Sequence, residues 1–349
     1  MTLTGNRSVR LVALLAAALA ASTPLGADVM IPSTGFSTGA GAAPADFRTD
    51  VRVFNPTGVG VLVTPTFYRQ ANSGAGIAAA TITQGNFTVP ARGQVAFDNI
   101  IGVFFNQPRG SFGPVRFQTN APLVVSSATN NYNGCGNGSI SGQWIPGIDL
   151  SLAFQAGELV QLATGTDPNS GYRSNVVFVN PGSQAANVTA VLRKGDGSLL
   201  ALALFQIPGN GFKQINNFKT DFAPGVATTD TNLWLEFTSD QKVLSYASVI
   251  NNASGDPFAV VALPPPAGAS FASFLSTPDP KAGQAVTFGS QSTNSPLTYF
   301  WNWGDGASEY GGLVMQHTFA APGTYRVYLT VVNAAGGSTT AKDIVVTAP

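Results

Sequence analysis

The chain has 349 residues and no formal net charge, one cysteine and one histidine. Its charged side chains are 10% of the total, against about 25% in an average soluble protein. A neutral chain with no basic cluster excludes sequence-independent nucleic-acid binding, whose affinity comes from phosphate neutralisation. One cysteine excludes an intrachain disulfide framework, a structural zinc cluster and an iron–sulfur site, so no cofactor is expected. A hydrophobic content of 44% excludes a mainly disordered chain.

Residues 1–27 read as a signal peptide. Arg7 and Arg10 precede an apolar run from Leu11 to Ala21, and small residues lead to a cut after Ala27. The run is shorter than the about 20 residues of a spanning helix. Its removal leaves 15 basic against 17 acidic residues. An exported, secreted or cell-surface protein with no membrane span in its mature chain is expected.

Two stretches then repeat. Phe47 to Pro56 (FRTDVRVFNP) matches Tyr172 to Pro181 (YRSNVVFVNP) without a gap, 125 positions later. Phe87-Thr88-Val89-Pro90 matches Phe205-Gln206-Ile207-Pro208, and Val115 to Asn120 matches Leu235 to Asp240. Ser127 to Asn131 (SATNN) is aligned with Ser248 to Asn252 (SVINN). Four blocks in one order make a tandem duplication, each copy long enough for its own core. Short alternating runs bounded by Gly, Pro and Asn predict antiparallel strands. Lys194 to Ser198 (KGDGS) predicts a hairpin loop, and Asn55-Pro56 and Asn180-Pro181 each predict a strand end, because proline cannot donate to a ladder. Ile100, Ile101, Phe104 and Phe105 have helical spacing, as do Phe218 and Phe222. Copy one carries seven extra residues near Ala71 to Gly76, a hairpin-tip insertion. Asn133 to Gly142 predicts an exposed loop containing Cys135, and Pro264-Pro265-Pro266 predicts a stiff spacer holding the last unit apart.

From Phe271 the pattern changes. Tyr299, Trp301 and Trp303 share one face of a strand, with Phe300 and Asn302 on the other. Gly304-Asp305-Gly306 predicts a tight turn. Pro322-Gly323-Thr324 leads into a strand with Tyr325, Val327, Leu329 and Val331 on one side and Arg326, Tyr328, Thr330 and Val332 on the other. A last strand is expected over Asp343 to Thr347.

Trp301-Asn302-Trp303-Gly304-Asp305-Gly306, His317-Thr318-Phe319 and Pro322-Gly323-Thr324-Tyr325 through Val327 and Leu329 to Asn333 closely resemble the motifs of the polycystic kidney disease (PKD) domain. Asn302 and Trp303 stand where that family usually has aspartate and phenylalanine. The resemblance implies an immunoglobulin-like β-sandwich, a structural place for His317, and a non-catalytic spacer or binding module. Some bacterial members assist binding to insoluble polysaccharide or protein. The two upstream copies are similar, more distantly, to repeat modules of secreted bacterial proteins.

The expected fold is all-β: three tandem antiparallel immunoglobulin-like sandwiches after the signal peptide. The boundaries are 28–150 for repeat one with its linker, 151–263 for repeat two, 264–270 for the proline-rich linker and 271–349 for the PKD-like unit. No catalytic, cofactor or metal residues are assigned. His317, the single histidine, belongs to a fold motif, and a Ser-His-Asp or Cys-His arrangement would need it. The glutamates Glu158, Glu236 and Glu309 form no evident pair, and Glu236 reads as a solvent-facing strand residue. Gly195-Asp196-Gly197 lacks the further acidic ligands of a calcium loop. Arg48 and Arg173, at equivalent positions, are expected to cover sheet surface and pair locally. Trp144 is the candidate ligand contact, by stacking. The expected role is adhesion to an extracellular protein or polysaccharide, by a monomer or a Cys135-linked dimer. The alternatives are a carboxylate-dependent hydrolase of glycan or polyester, with the PKD-like unit as substrate-binding appendage, and a mechanical spacer.

Overall fold

The computed structural model describes residues 28–38, 45–70, 80–132, 141–165, 167, 169–216, 218 and 229–349. The leader, the insertion near Ala71 to Gly76, Cys135 and Phe222 lie outside the described residues.

In the first module, apolar residues at alternate positions pack two antiparallel layers face to face. The strands are β1 (Asp28–Thr38), β2 (Asp46–Phe54), β3 (Val61–Arg69), β4 (Ala80–Thr83), β5 (Phe87–Val89), β6 (Gln94–Phe97), β7 (Ser111–Gln118), β8 (Val124–Asn131), β9 (Ser141–Pro146) and β10 (Ile148–Asp149). One layer runs β1-β7-β3-β4 and the other β9-β8-β2-β6. The orders β1-β7-β3 and β2-β8-β9 are those of an immunoglobulin-like sandwich. The place of its first strand is taken by β10, which pairs antiparallel with β1. Ile100–Phe104 forms one π-helical turn. Its helical spacing drives Ile100, Ile101 and Phe105 inward and sets Phe104 edge-on to Phe97 at 5.0 Å.

The second module repeats the plan with β11 (Phe154–Thr164), β12 (Tyr172–Val179), β13 (Ala186–Lys194), β14 (Leu199–Ile207), β15 (Phe212–Ile215), β16 (Asp230–Asn251) and β17 (Pro257–Val261). The 22-residue β16 serves both layers, pairing with β11 and β13 through its first half and with β12 and β17 through its second. Phe178 anchors this core, 5.3 Å from Phe237 and 5.2 Å from Phe205.

Strand pairing corrects the alignment of the last repeat block. Val51 faces Ser127, while its counterpart Val176 faces Ala247. The counterpart of Ser127 is therefore Ala247, not Ser248, and both downstream blocks sit at one offset of 120 positions. The serine-to-serine match was chemical, whereas the ladder sets the register.

Asn55 and Asn180, at the strand-ending Asn-Pro pairs, are fully buried. Asn180 Nδ2 donates to the carbonyls of Gln184, Ile207 and Pro208 at 2.6, 3.1 and 3.2 Å, and Oδ1 accepts from Gly182 N at 3.0 Å. Asn55 does the same with Val59, Val89 and Pro90 and accepts from Thr57 N. Each side chain ties the turn after its strand to the end of a later strand, β5 for Asn55 and β14 for Asn180, satisfying backbone carbonyls there.

The third module contains β18 (Phe274–Ser276), β19 (Ala285–Ser290), β20 (Thr298–Asn302), β21 (Ser308–Gly311), β22 (Val314–Thr318), β23 (Gly323–Asn333) and β24 (Gly336–Val346). Layers β18-β19-β22 and β21-β20-β23-β24 enclose Trp301 and Trp303. The final strand is longer than expected: β24 starts at Gly336 because the hairpin pairs back along β23 from Asn333.

The modules are not separated. Val177, Val179, Phe212, Leu244 and Tyr246 lie on the outer face of the second module's β15-β12-β16 layer, yet they are buried in the first module's core cluster. Ser248 Oγ donates to Gln143 Oε1 across this seam at 2.8 Å. The counterpart of Val177 in copy one is Arg52, which pairs with Asp98 at 2.8 Å on the surface. Covering a valine of this kind stabilises the contact by about 1.5–3 kcal/mol. An arginine at Val177 would forfeit that.

The third module also docks, against the expectation that Pro264-Pro265-Pro266 would hold it apart. Thr238 Oγ1 donates to the Thr339 carbonyl at 3.1 Å, Arg193 Nη2 donates to Thr339 Oγ1 at 3.1 Å, and Ala341 N donates to Thr189 Oγ1 at 3.3 Å. A stiff linker sets spacing only where no complementary faces meet, and here β24 lies on β13 and β16.

Candidate functional site

The second seam is built around an ion pair. Arg193 on β13 and Glu236 on β16 face the same side, and the guanidinium donates through Nε at 3.0 Å and Nη2 at 2.6 Å to Glu236 Oε1. Glu236 is 8% exposed, which corrects its reading as a solvent-facing residue. Strand alternation does place it on the outer face of its sheet, but β24 covers that face. Glu158 stands directly opposite Glu236 in the ladder. Burial pushes the Glu158 carboxyl up, and the Glu236 charge adds to this. This pairing of two glutamates is invisible in the sequence, where they lie 78 positions apart. With Glu236 held by Arg193, the pair is an electrostatic joint within the seam.

Two clefts, each about 530 Å³, flank the docked β24. One carries the charged groups Asp240, Lys342 and Asp343: Asn187 donates to Asp240 through both its backbone N and its Nδ2, and burial pushes the Lys342 ammonium down. The other is lined by Phe300, Tyr310 and Tyr328 with Asn302 and several threonines. The outward positions of Phe300, Asn302 and Tyr328 are legible from strand alternation, and the structure adds Tyr310 opposite Phe300.

The motif residues of the third module form one connected cluster. Trp301 and Trp303 are buried and stack at 5.4 Å, and His317 lies flat on Trp303 at 4.7 Å. His317 Nε2 hydrogen-bonds Asp305 Oδ2 at 2.7 Å. Burial pushes the Asp305 carboxyl up, but hydrogen bonds from His317 and the Ala307 N–H hold it below its ordinary value. Gly304 has φ +79, and a Cβ there would lie 2.4 Å from the Arg326 carbonyl oxygen, so the turn admits only glycine. Gly306 also has positive φ, +98. Phe319 and Tyr325 stack at 4.4 Å, and Tyr325 OH donates to the Ala321 carbonyl beside Pro322. Gly323 opens β23, which carries Val327 and Leu329 into the core. Asn333 closes β23, donating to the Gly268 and Asn294 carbonyls.

Trp144 on β9 is 60% exposed, its Nε1 donating to Ser126 Oγ at 2.7 Å. Arg48 pairs with Asp46 at 2.6 Å and covers the Tyr132 ring, while Arg173 donates to Asn252. Arg48 and Arg109 together hold the Asp46 carboxyl well below the usual carboxylate range. Gly195-Asp196-Gly197 is a hairpin turn, with Ser198 N donating to Asp196 Oδ1. Among the described residues no group of three His, Cys, Asp or Glu side chains is placed to hold a metal ion. No helix among them is long and apolar enough to cross a membrane.

The PKD domain family matches residues 272–348. No curated protein sequence matches the chain. Among solved structures, the chain is similar to an amphioxus IgVJ-C2 molecule at 17% identity, over 51% of this chain and 98% of that one, with a TM-score of 0.18. It is also similar to the ectodomain of mouse nectin-like molecule 4, with domains Ig1–Ig3, at 10% identity over 86% and 95%, with a TM-score of 0.21. A biofilm-associated protein's BSP domain overlaps at 9% identity over 96% and 69%, with a TM-score of 0.14. At such TM-scores the architecture is read from the strand pairing of the modules themselves.

Proposed function

We propose that the chain is an exported, non-catalytic binding protein that attaches to an extracellular protein or polysaccharide. The observation that carries this reading is the arrangement of modules. A PKD domain is docked on a duplicated sandwich so that aromatic side chains line a cleft shared by two modules. The apolar leader from Leu11 to Ala21 supports export. The exposed Trp144 offers a second contact on the first module. His317 is engaged by Trp303 and Asp305, and Glu236 by Arg193. Both groups thus have structural partners inside the modules, which supports a binding role.

Co-sedimentation of the chain without residues 1–27 with cellulose, chitin, collagen fibrils and whole bacterial cells tests the reading. Retention on at least one is expected. Failure on all four leaves a spacer role. Turnover of a soluble glycan or polyester that disappears in Glu158→Gln, with folding intact, replaces the reading with a hydrolase.

A further inference from the structure

The aromatic cleft beside β24 has a chemistry of its own. Ladder pairing lays one row of side chains across the outer face of the third module: Tyr310 opposite Phe300, Phe300 opposite Thr330, and Thr330 opposite Thr339. That row runs into Arg193 of the second module, which donates to Thr339. Phe300 and Tyr310 lie 5.0 Å apart at 58° and present a broken aromatic floor. Tyr310 is 75% exposed. Leu199 of the second module belongs to the facing wall.

The lining contains no carboxylate. Its cation, Arg193, is already held by Glu236 and Thr339. A charged polymer therefore meets no counter-charge here. A purely apolar ligand would strand the polar groups of the lining, Asn302 among them. That amide uses its oxygen on Gly304 N and keeps its NH2 to donate. Ring faces, hydroxyls and an amide without net charge suit a ligand with apolar faces and a hydroxylated rim. The volume of about 530 Å³ lies within the range of small-ligand clefts.

Resting on the binding role proposed above, we infer that this cleft is a binding site for a neutral oligosaccharide, held between the second and third modules. The sugar's C–H faces lie on Phe300 and Tyr310, and its hydroxyls pair with Asn302, Tyr328 and Thr298. Since the walls come from two modules, the ligand also clamps the docked arrangement.

The test is calorimetric titration of the full chain with cellohexaose, xylohexaose, mannohexaose and chitohexaose. Hexagalacturonate and a Leu/Phe-rich peptide serve as contrasts. At least one neutral hexaose binds. Tyr310→Ala weakens that binding about tenfold, the worth of one ring contact, and Leu199→Ser weakens it as well. Val314→Ser, on the opposite sheet of the third module, leaves it unchanged. Both Tyr310 and Leu199 are well exposed, so their replacements keep the fold. No binding of any neutral hexaose, binding insensitive to either replacement, or preference for hexagalacturonate or the peptide overturns the inference. Co-sedimentation with a polymer that survives Tyr310→Ala overturns this site and leaves the broader binding role standing, whereas failure of all co-sedimentation removes both.

Discussion

Replacing Asn180 isolates the contribution of one buried amide. Its NH2 has two hydrogens facing three carbonyls, so it makes two hydrogen bonds, one of them bifurcated, and Oδ1 accepts a third from Gly182. Each contributes about 1 kcal/mol net, and a buried carbonyl left unpaired adds about 1–3 kcal/mol. Asn180→Ala should therefore destabilise the second module by about 4–6 kcal/mol. Asn180→Asp keeps the shape but turns an oxygen toward the carbonyls of Gln184, Ile207 and Pro208, and should cost at least as much. Urea unfolding followed by circular dichroism reads the change. With a slope near 2.5 kcal/mol per molar, the midpoint falls by more than about 1 M. If Asn180→Asp stays within about 1 kcal/mol of the wild type, the residue is filling space and the hydrogen-bond argument fails. The twin Asn55→Asp should behave alike in the first module, where Thr57 supplies two of the donors.

Trp301→Ala should destabilise the third module by about 3–5 kcal/mol, because the ring is fully buried between Trp303 and Phe274. A loss below about 1 kcal/mol in calorimetric unfolding contradicts that packing. Arg193→Ala leaves Glu236 buried without its partner, a loss of about 3–5 kcal/mol. It should open the second seam, read as faster proteolysis within residues 264–270, and an unchanged cleavage rate means the seam does not depend on this pair. Tyr246, buried in the first seam, has its phenol pushed up to about 12 by burial. A raised pKa stabilises the seam below the unfolded value of about 10, and that stability is lost as pH rises through the folded value. Alkaline titration should thus loosen the first seam between pH of about 10 and 12, with tyrosinate absorbance rising at the same pH. Tyr246→Phe should remove this step, and a step that persists assigns it elsewhere.

Much of the strand plan is legible in the sequence because alternation, Asn-Pro ends and glycine turns are local. Trp301 and Val327 face inward where alternation puts them, and the Gly304 turn needs the backbone that only glycine allows. What the sequence hides is contact between modules. Alternation gives two faces to β16 but not which of them a neighbour will cover, so Glu236 read as exposed. A signal did exist: Val176 to Val179 is apolar on both faces where copy one has Arg52. A strand buried on both sides has such a continuous run. Alternation places Phe300 and Tyr328 in the cleft, but Tyr310 depends on strand pairing and the second wall on docking that no local pattern encodes. The Glu158–Glu236 adjacency is likewise a product of strand pairing.

The unlike partners Arg52 and Val177 also bear on how the array could have grown. The downstream copy carries a face suited to a neighbour, while the upstream copy's corresponding face carries a solvated arginine–aspartate pair. Another copy inserted in front would meet Arg52, Gln94 and Ser126 around Phe54 and Val124, where the existing seam has Val177, Phe212 and Tyr246. Lengthening the array at that end therefore requires apolar replacements across the face, at positions 52, 94 and 126, before a third sandwich can be seated.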